Sequence, residues 1–312
     1  MSRDPYTQIS SKLDDLYRKF RQSPPSIPDR LFHYTNPQGF VSIINSQRLW
    51  ASNADFLNDS SEPGYALDLL KEALDGIESN LSPISATRRA LNGFWDWAMK
   101  ERLEQGPHLY VFCLSEVPDL LSQWRAYGAH GAGYAIGFSS SRLTALIRSS
   151  EGQYLSKVVY DRDQQKSEAA DVFNQIVAVI ENYEACHGVI DGTTCGADAE
   201  LVERAVRTIF LSEIIRLRAK FKISAFHEEA EWRMLQFVHP AVDRPAIGFR
   251  AALNGITPYL ELDLGTNSLP IEQVTIGPAL KPELSLQSAM LILAKKGCST
   301  AEVRNSVVPF RL

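Results

Sequence analysis

The sequence lacks the marks of a secreted, membrane-bound or nucleic-acid-coating protein. Its four cysteines, Cys113, Cys186, Cys195 and Cys298, are scattered over 312 residues without a C-x-x-C pair. A disulfide framework belongs to small, cysteine-dense secreted domains, so free thiols in a reducing cytoplasm are expected. Cys186-His187 with Cys195 offers three ligands at non-standard spacing, and no metal is expected. The start, Met1-Ser2-Arg3-Asp4-Pro5, has no apolar h-region. No run approaches the ~18 apolar residues of a membrane span, so no membrane partner is expected. A net charge of −5 argues against holding nucleic acid by bulk electrostatics alone, although a local basic groove remains compatible with it. There is no P-loop, no G-x-S-x-G elbow and no H-E-x-x-H. Gly131-Ala132-Gly133 is too short for a dinucleotide fingerprint and stands in the wrong context.

What is present is ordinary globular material, 45 % hydrophobic and 22 % charged, long enough for a sizeable core without staples. Helical spacing of Ile9, Leu13, Leu16 and Phe20 predicts a helix over 6–22, broken by Pro24, Pro25 and Pro28. Strands are predicted at 30–34, 49–52, 109–115, 133–138 and 154–160. Helices are predicted from Asn36-Pro37, over 63–78 and 85–104, and briefly at 123–128, with 53–62 a loop. Two long helices follow at 163–186 and 197–222. The last third reads as strands at 229–238, 248–252, 259–264, 274–277 and 306–310, with a helix at 282–296. The whole is an α+β protein: an N-terminal helix and linker over 1–29, then one strand-based domain over 30–312 with a helical insertion at about 160–225.

Candidate chemistry gathers in a few places. On a strand, Glu229, Glu231 and Arg233 share a face that continues as Leu235 and Phe237, while Ala230, Trp232 and Met234 form the other. Two carboxylates so close repel, which would raise one pKa; the structural alternative is a rim strand whose glutamates pair with Arg or Lys. In Phe32-His33-Tyr34-Thr35, a histidine and an aromatic on a short strand suit a sugar hydroxyl and a ring, or else a core histidine bonded to backbone. Trp124-Arg125-x-Tyr127-Gly128 offers a guanidinium for phosphate and aromatic faces for a base, or plain helix packing with a glycine stop. Ser115 closes a strand, either beside a cleft or as a cap.

Taken in order, Phe32-His33-Tyr34-Thr35, Leu49-Trp50-Ala51-Ser52, Leu57-Asn58-Asp59 with Glu62, Phe112-Cys113-Leu114-Ser115, Trp124-x-x-Tyr127, Gly133-x-x-x-Gly137-Phe138 and Glu229-x-Glu231-Trp232-Arg233 resemble a bacterial domain-of-unknown-function family over about 30–312. The terminal Ile276-Gly277-Pro278 and Ser306-Val307-Val308-Pro309-Phe310 fit it too. That family in turn resembles the ADP-ribosyltransferase fold, a split antiparallel β core with flanking helices. The resemblance implies NAD as substrate, with no metal. It implies that His33 binds the adenosine-side ribose, Ser115 sits at the nicotinamide pocket, and Tyr127 or Tyr34 stacks on the ring. Glu231 would be the catalytic acid and Glu229 would orient the acceptor. Tyr34, Thr35, Trp124 and Arg125 complete the cofactor-binding set, Arg125 facing the pyrophosphate. The departures are an unassigned second aromatic and the long spacing from His33 to Glu231, which needs the helical insertion.

The expected function is ADP-ribosyl transfer from NAD to a protein or nucleic acid in the cytoplasm, as a toxin, defence effector or modifier, with NAD hydrolysis alongside. A partner protein or a homo-oligomer is compatible with it. The alternatives are a non-catalytic nucleotide sensor or partner-binding protein, and a nuclease-like hydrolase using His33 and the two glutamates.

Overall fold

The computed structural model describes residues 26–57, 62–101, 108–148, 153–187, 197–238, 246–252, 255–265, 268–278 and 281–309. The helix expected at 6–22 lies outside them, as do Asn58, Asp59 and Cys195. The fold is mixed α+β, with a mostly antiparallel sheet.

Strand β1 (Arg30–Thr35) leads into α1 (Pro37–Ser46), where the Asn36 side chain caps Gly39 N–H and Pro37 takes the first turn. Then come β2 (Leu49–Asn53), a short 3-10 turn at Ala54–Phe56, α2 (Glu62–Ser79), α3 (Ala86–Glu101) and β3 (His108–Ser115). The short helix α4 (Leu121–Ala126) precedes β4 (Tyr134–Ser139), α5 (Ser140–Arg148) and β5 (Gln153–Lys157). Helices α6 (Arg162–His187) and α7 (Ala197–Arg218) separate β5 from β6 (Glu231–Val238). The chain closes with β7 (Ile247–Ala252), β8 (Gly255–Leu262), β9 (Ile271–Ile276), α8 (Pro282–Lys295) and β10 (Glu302–Asn305).

Several boundaries differ from the sequence reading. Helix α7 ends at Arg218, four residues before 222, because Val159 and Lys220–Lys222 pair as a short parallel bridge instead. The strand expected from 229 starts at Glu231, since Ser224–Glu229 coils into a 3-10 turn closed by Ala230 in the left-handed region, φ 43°. The terminal strand lies at 302–305, paired in parallel with β9, and Ser306 to Pro309 run on without strand structure. Helix α5 was not expected.

The sheet runs β10-β9-β4-β1-β3-β2-β8-β7, and β6 with β5 lies on the other edge of β3. Along that first edge β3 serves two neighbours, Phe32 of β1 at Ser115, and Ser52 and Asn53 of β2 at Val111 and Tyr110. Between these contacts β1 and β2 part, which opens a gap over Phe112 to Leu114. Side-chain alternation in β3 feeds both faces. Leu109 and Val111 enter a core with α2, α3, α6 and α7, while Tyr110, Phe112 and Leu114 enter one with α1, α5 and α8.

Candidate functional site

At the gap a cleft of about 60 Å³ is lined by Phe32, His33, Tyr34, Cys113, Leu114, Gln123, Tyr127, Glu229 and Glu231. His33 stacks on Phe112 at 4.2 Å, and its Nδ1 lies 2.9 Å from the Cys113 carbonyl. A carbonyl only accepts, so Nδ1 carries the proton and Nε2 of the neutral ring is left as an acceptor. Burial and the nearby Arg250 charge push the His33 pKa down to about 4, against the raising effect of that hydrogen bond, so the ring is neutral at physiological pH. Gly137 lies opposite Phe32 in the β1–β4 register, and an added Cβ there would stand 2.6 Å from the phenyl ring.

The carboxylates are arranged differently from two rungs of one strand. Glu229 ends the 3-10 turn, Ala230 turns left-handed and Glu231 opens β6. Non-glycine residues seldom adopt that conformation. It is held by Ser115 Oγ donating to Glu229 O at 2.7 Å and Glu116 N–H donating to Ala230 O at 3.0 Å. Both carboxylates accept from Lys222 Nζ, Glu229 at 2.6 Å and Glu231 at 3.2 Å. Arg233 grips Glu231 with two donors, Nε at 2.7 Å and Nη2 at 3.0 Å. Burial alone would raise the Glu231 pKa, but the Arg233 and Lys222 charges outweigh it and hold the carboxyl at about 2. The raised pKa expected for one glutamate therefore does not apply to Glu231, because its nearest charges are cations. Cys113 is pushed the other way, well above a usual thiol, by burial and by the Glu231 charge beside it.

The remaining expected residues divide. Tyr34 lines the cleft, but its hydroxyl donates to Val117 O at 2.8 Å and accepts from Leu120 N–H at 3.0 Å, with the ring edge-on to Trp124. Tyr127 also lines the cleft and is the more exposed aromatic. Ser115 stays outside the lining and pins the Glu229 turn. Trp124 is fully buried, with Nε1 donating to Asp119 at 2.7 Å. Arg125 is exposed and Thr35 sits over the first turn of α1, both outside the lining. Among the described residues, no three His, Cys, Asp or Glu side chains gather with metal-ligand spacing. No described helix is long and apolar enough to cross a membrane.

Sequence reading missed Gln123, Tyr160 and above all Lys222. Tyr160 hydroxyl accepts from Glu231 N–H at 3.0 Å. Lys222 was hidden because Leu217 and Phe221 keep helical spacing past the true helix end. The alternation Lys220-Phe221-Lys222 was the available signal of extended backbone.

The family described as "Protein of unknown function (DUF2971)" matches residues 123–234. The match takes in Trp124, Tyr127, Lys222, Glu229 and Glu231, and leaves out His33 and Ser115, so it is narrower than the 30–312 expected from the motifs. No curated protein matches the chain. No solved structure matches it.

Proposed function

We propose that this chain is an NAD-dependent ADP-ribosyltransferase-like enzyme of the cytoplasm, modifying a protein or nucleic acid in the manner of a toxin or defence effector. The observation that carries the reading is one cleft, where β1 and β2 part, that collects His33, Tyr34, Tyr127, Glu229 and Glu231 from three distant stretches of sequence. In the reaction the nicotinamide–ribose bond breaks, nicotinamide leaves with the bonding pair, and an acceptor nucleophile bonds the ribose carbon and loses its proton. Water as acceptor gives NAD hydrolysis. Positive charge grows on the ribose at the transition state, and a carboxylate that stays ionised at neutral pH stabilises it there. Glu231 has that property. His33 Nε2 suits a ribose hydroxyl, and Tyr127 offers a ring face at the cleft. At about 60 Å³ the cleft is smaller than the cavity of about 150 Å³ that benzene fills, so NAD would have to widen it to enter. Cys113 and Cys298 are free thiols, in keeping with a reducing compartment.

A second reading, a nucleotide sensor without turnover, is favoured by one observation: both Glu231 oxygens already accept hydrogen bonds from Arg233 or Lys222. The test is nicotinamide release and transfer of labelled ADP-ribose to lysate, comparing the full chain with Glu229→Gln and Tyr127→Ala. Nicotinamide release by the full chain, with label transfer lost in Glu229→Gln, supports the enzyme. NAD binding without release, weakened by Tyr127→Ala, supports the sensor. Neither binding nor release removes both readings.

A further inference from the structure

Both ends of the helical segment between β5 and β6 return to Glu231, the first to its backbone and the second to its side chain. Ahead of α6, Val158 N–H donates to Glu231 O at 2.9 Å, and Tyr160 hydroxyl accepts from Glu231 N–H at 3.0 Å. Beyond α7, Ala219 O accepts from Arg233 Nη1 at 2.7 Å, and Lys222 reaches Glu229 and Glu231. Backbone bonds join the two ends, Val159 N–H to Lys220 O at 2.9 Å and Lys222 N–H to Val159 O at 3.1 Å. Gln165, fully buried, brackets them, its amide donating to Val159 O at 2.6 Å and Lys222 O at 2.9 Å while its Oε1 accepts from Tyr65 hydroxyl at 2.7 Å.

Lys222 is itself buried, with Nζ 4.9 Å from the Phe226 ring centre. A buried ammonium is costly unless its charge is compensated. Arg233 already neutralises one carboxylate with two donors, so Lys222 balances the second and suppresses repulsion within the pair. The other titratable groups facing the glutamates are Cys113 from β3, Tyr127 after α4 and Tyr160 after β5.

We propose that Lys222 is a positioning residue of the cleft, its ammonium fixing Glu229 and Glu231 relative to each other, with Gln165 fixing Lys222 in turn. The inference rests on reading these glutamates as the acting carboxylates. It makes the helical segment part of the site's construction, since the residue that orders the carboxylates is supplied by its end.

The experiment uses the full chain with glutamate side-chain carboxyls labelled with carbon-13, as wild type, Lys222→Met and Lys222→Arg, followed by NMR titration and by nicotinamide-release kinetics. Lys222→Met is expected to move one carboxyl titration upward and to lower kcat about 100-fold, as misplacement of an acting group does, with KM for NAD little changed. Lys222→Arg is expected to restore the titration and most of kcat. Titrations unmoved by Lys222→Met, or a kcat that Lys222→Arg does not recover, overturn the proposal. If Lys222→Met fails to fold, Gln165→Met keeps the ammonium and removes its bracket. A smaller loss of kcat at unchanged KM then supports the proposal, and no loss overturns it. A wild type that does not cleave NAD removes the transferase reading instead, and the titrations alone then decide whether Lys222 sets the pair.

Discussion

His33 and Glu231 are held at opposite ends of the same electrostatic logic: one is kept neutral by burial, the other charged by two cations. In the unfolded chain His33 regains an ordinary histidine pKa near 6.5, whereas in the fold it lies at about 4. Between those values the unfolded state binds the extra proton, so His33 makes stability fall as pH falls from about 6.5 to 4 and adds nothing further below that. Glu231, with its carboxyl at about 2 in the fold against an ordinary 4.5, contributes stability that is complete above 4.5 and lost as pH falls toward 2. NMR of the His33 ring should give a midpoint near 4, and the 6.5-to-4 part of the stability loss should disappear in His33→Gln. A ring titrating at 6.5 would remove the neutral-acceptor assignment. Glu231→Gln is a different experiment, because it leaves Arg233 beside a neutral amide while Lys222 keeps Glu229. Breaking a buried ion pair on one side costs about 3–5 kcal/mol, so denaturant unfolding should show a loss of that size. Lost activity in this variant therefore means little without a melt beside it.

Among the elements, α4 is a short helix placed by contacts far along the chain. Asp119 just before it accepts from Trp124 Nε1 at 2.7 Å, from Ser306 Oγ at 2.6 Å and from Val307 N–H at 2.8 Å. Asp119→Ala should leave the buried indole N–H without its acceptor, at about 1–3 kcal/mol. It should also speed amide exchange over the segment from β10 to Val308, and unchanged exchange there would show that the tether carries no load. Such long-range ties explain what sequence could and could not tell. Strands β3 and β6 were readable as apolar, β-forming runs because each is buried on both faces, and the Asn36-Pro37 start of α1 because its cap is local. His33, Tyr127, Glu229 and Glu231 were readable as residue types. Their meeting place was not, because it depends on β1 and β2 sharing one edge of β3. The end of α7 was not readable either, since what replaces its last turn is a bridge to Val159, some sixty positions earlier.

At the scale of the whole molecule, two cores lie on opposite faces of strands they share. Phe210 of α7 is fully buried in the helical core, 6.0 Å from the ring of Phe94 and 5.6 Å from that of Phe173. The other core, with Phe112 and Trp232, stands behind the cleft. Leu109, Val111 and Leu235 carry the helical core onto β3 and β6, and the Val159–Lys222 bridge carries it on to the carboxylates. Truncating Phe210 removes a large buried ring far from the cleft, and Phe→Ala in a core costs about 3–5 kcal/mol. If the helical core and the cleft form one cooperative unit, Phe210→Ala should lower the melting temperature seen by far-ultraviolet circular dichroism and by the His33 ring signal equally, in one transition. Separate transitions, with the His33 signal surviving after helix is lost, would show that the cleft stands without the helices. The positions of Lys222 and Arg233 argue for the single transition, because melting α7 releases Ala219 and Lys222 and leaves Glu229 and Glu231 to repel each other with one cation fewer between them.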